Sequence, residues 1–208
     1  MRIGFMGAGR IGGTLARQLA ALGHDVAVSN SRGPETLAAL VASIGERGQA
    51  LTAADAARWG ELLVVSVPFG RYRELPADGV AGKVVIDTNN YYPNRDGQYT
   101  EIDADHTTSS EMLAAYLSGA RVVKAFNNIN WEHLRDLARP AGAPGRIGLP
   151  IAGDDAEAKR TVAALIDAIG FDAVDTGMLA AGGRKQQPGT AVYGTDLPTA
   201  DLRAALGV

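Results

Sequence analysis

Between the apolar run Ile3–Met6 and a helical stripe of Ile11, Leu15, Leu19 and Leu22 stand three glycines, in the order Gly7-Ala8-Gly9-Arg10-Ile11-Gly12. Glycines at this spacing allow a tight turn, let the backbone come close to a ligand, and let a helix pack directly on the preceding strand. A strand that passes so quickly into a helix needs a crossover to a parallel neighbour, so this opening commits the chain to β-α-β winding.

The same alternation continues along the chain. Strand candidates are Arg2–Met6, Asp25–Ser29, Gln49–Thr52, Leu62–Val67, Val84–Thr88, Arg121–Phe126, Ile147–Ala152 and Ala173–Thr176. Several are apolar without interruption, as parallel strands covered on both faces must be. Helical stripes lie between them at Leu37, Leu40, Val41 and Ile44, and at Val162, Leu165, Ile166 and Ile169. Gly23, Gly45, Gly119 and Gly170 stand where helices should stop, Pro34 suits a first helical turn, and Thr108 with Glu111 forms a capping-box pattern. The expected architecture is α/β, a Rossmann-type doubly wound, mostly parallel sheet. Residues 1–208 read as one domain. Within it, residues 177–208 read as an irregular C-terminal extension near the acceptor site, with only Ala200–Leu206 helical.

Composition narrows the chemistry. There are no cysteines among the 208 residues, which removes disulfides, thiolate metal sites and cysteine nucleophiles, and His24, His106 and His133 are too scattered for a metal site. Twenty-six glycines exceed the ~7% average and point to turns or close backbone approaches. A net charge of −3 with no Lys/Arg-dense block argues against nucleic acid. No run nears the ~18 apolar residues of a membrane span, and no signal-peptide layout opens the chain, so a cytoplasmic location is expected. The glycine-rich ends and apolar tail leave room for a homodimer, without an interface stripe to define one.

A glycine loop at a helix N-terminus is a pyrophosphate cradle, because free N–H groups and the helix dipole both favour an anion. An NAD site usually carries Asp or Glu at the end of the second strand, ~20 residues further on. Here that end reads Ser29-Asn30-Ser31-Arg32, with uncharged donors and a guanidinium suited to a 2′-phosphate, so NADP(H) is the expected cofactor. Later strand ends should line the same crevice. They carry Ser66-Val67-Pro68, Asn89-Asn90, and Ala125-Phe126-Asn127-Asn128. The asparagines suit a nicotinamide carboxamide or an acceptor, and Val67-Pro68 suits an apolar wall against the rings. The expected cofactor-binding set is therefore Gly7, Ala8, Gly9, Arg10, Ile11, Gly12, Ser29, Asn30, Ser31, Arg32, Ser66, Val67, Pro68, Asn89, Ala125 and Asn127. Asn127 is also the candidate for positioning the acceptor.

The segments RIGFMGAGRIGGTLARQLAALGHDVAVSNSR, VVSVPF, VVIDTNN, VVKAFNNI, LPIAGDD and QPGTAVYG together resemble the NADPH-dependent coenzyme F420 reductase family, and the cofactor domain of the six-transmembrane metalloreductases. The resemblance implies that Ser31 and Arg32 grip the 2′-phosphate and that Val67-Pro68 contacts the nicotinamide half. The archaeal reductases of the family carry a histidine where this chain has Asn127, whereas the metalloreductase branch shares the AFN form and uses an ordinary flavin. F420, FMN and FAD all stay open as the partner in hydride transfer.

A flavin or deazaflavin holds incoming negative charge in its own rings, so an enzyme serving it can lack a general acid. No YxxxK or His–Asp pattern is present among His24, His106, His133, Tyr91 and Tyr92. Two rivals remain. A small carbonyl or imine reductase would need a donor such as Tyr91 or His106 beside the hydride. A non-catalytic NADPH sensor would have the acceptor space blocked by Pro188–Tyr193.

Overall fold

The computed structural model describes residues 1–208. In chain order the elements are β1 (Arg2–Met6), α1 (Arg10–Ala21), β2 (Asp25–Ser29), α2 (Ala38–Ile44), β3 (Gly48–Ala50), α3 (Ala53–Trp59), β4 (Leu62–Val65) and β5 (Val84–Asp87). Then come α4 (Pro93–Asp96), α5 (Thr100–Asp103), α6 (Ser109–Tyr116), β6 (Arg121–Lys124), α7 (Trp131–Asp136), β7 (Gly148–Gly153), α8 (Ala156–Ala168), β8 (Asp172–Asp175), α9 (Leu179–Arg184) and α10 (Thr199–Leu206). All the expected strands form, with ends displaced by one or two residues where they differ. Strand β6 stops short of Phe126 because that residue adopts a left-handed φ of 61°.

The strands form one eight-stranded sheet in the order β3-β2-β1-β4-β5-β6-β7-β8. Pairs from β3 through β6 are parallel, β7 runs antiparallel to β6, and β8 is parallel to β7. This is the Rossmann-type doubly wound, mostly parallel arrangement. Chain order reverses between β1 and β4, so the connections after these strands leave in opposite directions and open a crevice at their carboxyl ends.

Period-2 alternation distributes the core over both faces. Ile3, Phe5, Val26, Val28, Leu62, Val64, Val84 and Ile86 point into one apolar layer, completed by Leu15 and Leu19 of α1 and Val162 and Ile166 of α8. Met6, Leu63, Val65, Val85 and Val122 point into the other, with Ala57 of α3, Leu113 of α6, and Phe69 and Tyr72 beyond β4. Each such side chain contributes about 1.5–3 kcal/mol on burial. Helix α6 begins with a complete capping box, Thr108 accepting from the Glu111 amide and Glu111 from the Thr108 amide. Helix α8 is capped by Asp155, whose carboxylate accepts from the Ala158 amide.

The C-terminal extension is more ordered than its sequence implies. Glycine-rich Leu179–Arg184 is helical, although glycine disfavours helix, because it seats closely against the strand ends: a Cβ on Gly182 would lie 2.5 Å from Thr176 Oγ1. The tail is held by a small core of Val174, Val192, Leu202 and Leu206, and by an antiparallel bridge between Ile147 and Pro198. Buried Arg146 ties its base, bonding Asp167 and Asp172 at 2.7 and 2.5 Å, while Thr199 donates to Asp172 at 2.6 Å. Replacing Leu202 by Ala should cost about 2–5 kcal/mol, read as a lower urea midpoint at unchanged slope. An unchanged midpoint would mean that the tail packs too loosely to contribute.

Candidate functional site

The glycine loop sits at the crevice. Gly7 has φ of 107°, and a Cβ there would lie 2.2 Å from the Ser66 carbonyl oxygen, so β1 and β4 can meet at their ends only with glycine in place. A Cβ on Gly12 would likewise lie 2.4 Å from the Gly7 carbonyl oxygen. Gly9 differs, for nothing lies within 4 Å of the position a Cβ would take. It is also the N-cap of α1, with no side-chain cap and no acidic residue in the first turn. The helix thus begins with unpaired N–H groups facing open space, the arrangement that a pyrophosphate needs.

A cavity of about 320 Å³ extends from this loop to the end of β2 and the segment after β4. Gly7, Ala8, Gly9, Ser29, Asn30, Ser31, Arg32, Ser66, Val67 and Pro68, all expected from the sequence, line it. Within the β2 end the roles divide. Ser29 is fully buried and donates to the Phe5 carbonyl at 2.7 Å, bracing the strand end. Asn30 accepts from the Arg32 amide at 2.9 Å and donates to Thr36, setting the turn. Ser31 and Arg32 are exposed to the cavity, and Arg32 has no carboxylate partner. Arg71 and Glu74 complete this end. Sequence reading missed both, since they follow Pro68 in a 3₁₀ segment and come near Ser31 only through the fold.

Arg10 is exposed and stacks 5.5 Å over Trp131 at the start of α7, beside a second cleft of about 310 Å³ lined by Gly9, Gly13, Thr14 and Arg17. Ile11 packs against the core. His133 pairs with Asp196 of the tail at 2.6 Å, and Tyr91 is committed to Asp103 and the Tyr99 amide, so neither is a free acid. His106 is exposed after α5.

Asn89, Ala125 and Asn127 lie at the ends of β5 and β6, beyond the lining of the main cavity. The Asn89 side chain accepts the Val67 amide at 2.9 Å, fixing the loop after β4, and its amide nitrogen is buried without a partner. Asn127 donates to Gln186 and Asn90, leaving its side-chain oxygen unpartnered. Beneath them Lys124, 1% exposed, donates to the Asn89 carbonyl and Ser110 at 3.0 Å each and lies 3.8 Å from Asp87. Burial pulls its ammonium below the usual range, opposed by the Asp87 carboxylate. The Ser110 hydroxyl and the Asn89 backbone N–H both donate to Asp87. The one signal of this network in the sequence is a lysine inside the apolar run Val122–Phe126.

The tail lies across these loops. Tyr193 shares a hydrogen bond with Tyr92 and accepts from Asn90, and the Gly194 amide donates to the Asn128 carbonyl. Burial and the Tyr92 contact push the Tyr193 phenol well above its ordinary range. No group of three or more His, Cys, Asp or Glu side chains converges as a metal site would require.

Comparison with known proteins agrees with this geometry. The profile of the family described as NADP oxidoreductase, coenzyme F420-dependent, matches residues 2–91. A hypothetical protein from Sinorhizobium meliloti is 30% identical and superposes with a TM-score of 0.79 over 95% of this chain and 94% of its own. An Arthrobacter protein, described as a candidate F420-dependent NADP-reductase, is 27% identical with a TM-score of 0.77 over 95% and 99%. Over residues 2–91 the chain is thus similar to the F420-dependent NADP oxidoreductase family. Rat metalloreductase STEAP3 is 32% identical over 181 residues, 86% of this chain, which spans about a third, 34%, of that relative. No helix here is long and apolar enough to cross a membrane.

Lys124→Met should leave the Asp87 carboxylate buried without its cation and cost about 3–5 kcal/mol in chemical denaturation. The double variant with Asp87→Asn should recover part of that loss. Absence of any loss in the single variant would show that the pair carries no charge in the fold.

Proposed function

We propose that this chain transfers hydride between NADP(H) and a flavin or a deazaflavin of the F420 type. The observation that carries the reading is the uncapped glycine loop opening into a cavity whose far end presents Ser31 and Arg32, with no carboxylate at the carboxyl end of β2. Residues 1–208 act as one NADP-binding domain, and residues 177–208 form a wall at the acceptor side. The Gly9 end of α1 holds the pyrophosphate, Ser31 and Arg32 the 2′-phosphate, and Val67-Pro68 the nicotinamide half. When bound, NADPH supplies hydride from its nicotinamide ring.

The chain's own contribution is positional. Asn89 fixes the Val67 amide and Lys124 fixes Asn89, so the loop beside the nicotinamide is held from beneath. Asn127 and Asn89 keep unpartnered amide atoms for a carboxamide or acceptor. Of the two expected proton donors, Tyr91 is bonded to Asp103 and His106 is solvent-exposed and outside the lining of the main cavity, which favours an acceptor that needs none over a carbonyl or imine. The cellular setting that fits is cytoplasmic, with a small-molecule acceptor as partner rather than nucleic acid or membrane.

One observation favours the NADPH-sensing alternative, namely the closure of the tail over Asn90 and Asn128 by Tyr193 and Gly194. Anaerobic NADPH consumption with F420, FMN and FAD offered in parallel distinguishes the readings. Turnover with one of them is expected. Tight NADPH binding without turnover on any would overturn the acceptor assignment and favour the sensor. Arg32→Glu should weaken NADPH binding by more than tenfold, about 1.4 kcal/mol or more, with NADH nearly unaffected. Equal losses for both nucleotides would remove Arg32 from the 2′-phosphate.

A further inference from the structure

Arg71 lines the main cavity together with Arg32 and reaches Ser31, its Nη1 donating to Ser31 Oγ at 3.3 Å. The remaining arms of the guanidinium hold Glu74, with Nε at 3.0 Å and Nη2 at 2.5 Å from its carboxylate. Arg32, Arg71 and Glu74 are the only charged residues lining this cavity. The Arg71 and Glu74 side chains are 50% and 60% exposed, so a ligand entering the cavity can reach both.

We infer that Arg71 is a second arginine of the 2′-phosphate subsite, and that Glu74 is an internal stand-in which the phosphate displaces. The inference rests on the assignment of this cavity to NADP(H). A guanidinium fork accepts a carboxylate or a phosphate in the same bidentate geometry, but it cannot serve both with the same N–H groups. An exposed Arg–Glu pair is held weakly, and a phosphate dianion beside two arginines offers more charge and more acceptor oxygens. The exchange is therefore favourable for NADPH. NADH brings only a 2′-hydroxyl, which cannot compete for the guanidinium, so Glu74 keeps Arg71. Preference for NADPH thus comes from the loop after β4 as well as from the end of β2. Until the exchange the carboxylate holds the guanidinium next to Ser31, and once displaced its exposed side chain can turn to solvent.

The test is calorimetric titration of NADP⁺, NAD⁺, adenosine 2′,5′-bisphosphate and 5′-AMP into the native chain, Arg71→Ala, Arg71→Lys and Glu74→Gln. The native chain should prefer each 2′-phosphorylated member of a pair. Arg71→Ala should erase about tenfold or more of that preference while NAD⁺ and 5′-AMP binding stay within about twofold and the melting temperature is unchanged. Arg71→Lys should fall between, since it keeps the charge and loses the fork. Glu74→Gln should keep or raise NADP⁺ affinity. Undiminished preference in Arg71→Ala, or equal losses for both members of each pair, would overturn the role of Arg71. A loss of NADP⁺ affinity in Glu74→Gln as large as that in Arg71→Ala would overturn the displacement. Lack of preference in the native chain would instead remove the NADP assignment of the cavity, and the inference with it.

Discussion

The close approach of Gly7 to the Ser66 carbonyl is the constraint on which the site depends. Strands β1 and β4 are neighbours whose connections leave in opposite directions, and their ends can meet only if one carries no side chain. Opening of that contact by a Cβ would separate Ser66-Val67-Pro68 from the glycine loop, and the cavity that both line would lose its shape. The start of α1 would move with it, since Gly12 packs against the Gly7 carbonyl. The anion-binding character of the helix end is therefore a product of strand packing as much as of helix dipole.

Electrostatics then divide the crevice in two. At the β2 end, Arg32 and Arg71 line the cavity with a single carboxylate, Glu74, which pairs with Arg71, a layout that suits a doubly charged group. At the β5 and β6 end the residues are amide and apolar, Asn89 and Asn127 themselves buried, and the charged groups, Lys124 and Asp87, are buried with them and paired with each other. Such a pair contributes little to stability in itself, but removal of one partner is costly, which makes it a rigid support for Asn89. A charged nucleotide end and a neutral ring end are what a nicotinamide dinucleotide requires.

The tail joins the halves of the sheet. Its base is anchored by Arg146 and Leu202, its helix α9 seats on Thr176, and its middle rests on Asn90 and Asn128 through Tyr193 and Gly194. The same segment therefore covers the loops after β5 and β6, the side on which the proposed function places the acceptor.

Much of this was legible in the residues. Continuous apolar runs and glycine stops were enough for the eight strands and their winding, because backbone preference and burial on both faces act locally and repeat. The glycine loop and the acid-free end of β2 were legible for the same reason, each being a short stretch whose chemistry is carried by adjacent residues. What lay beyond reach was set by contacts between distant segments. Glycine-rich α9 forms because it packs on Thr176, against its own propensity. Arg71 meets Ser31 across 40 residues. Lys124 finds Asp87 and Ser110 on separate elements, and Tyr193 finds Tyr92 across 101. The sequence by itself determined the sheet and the glycine loop at its crevice, through local pattern. The tertiary structure decided which charges line that crevice and what covers the loops after β5 and β6, because only packing brings those side chains together.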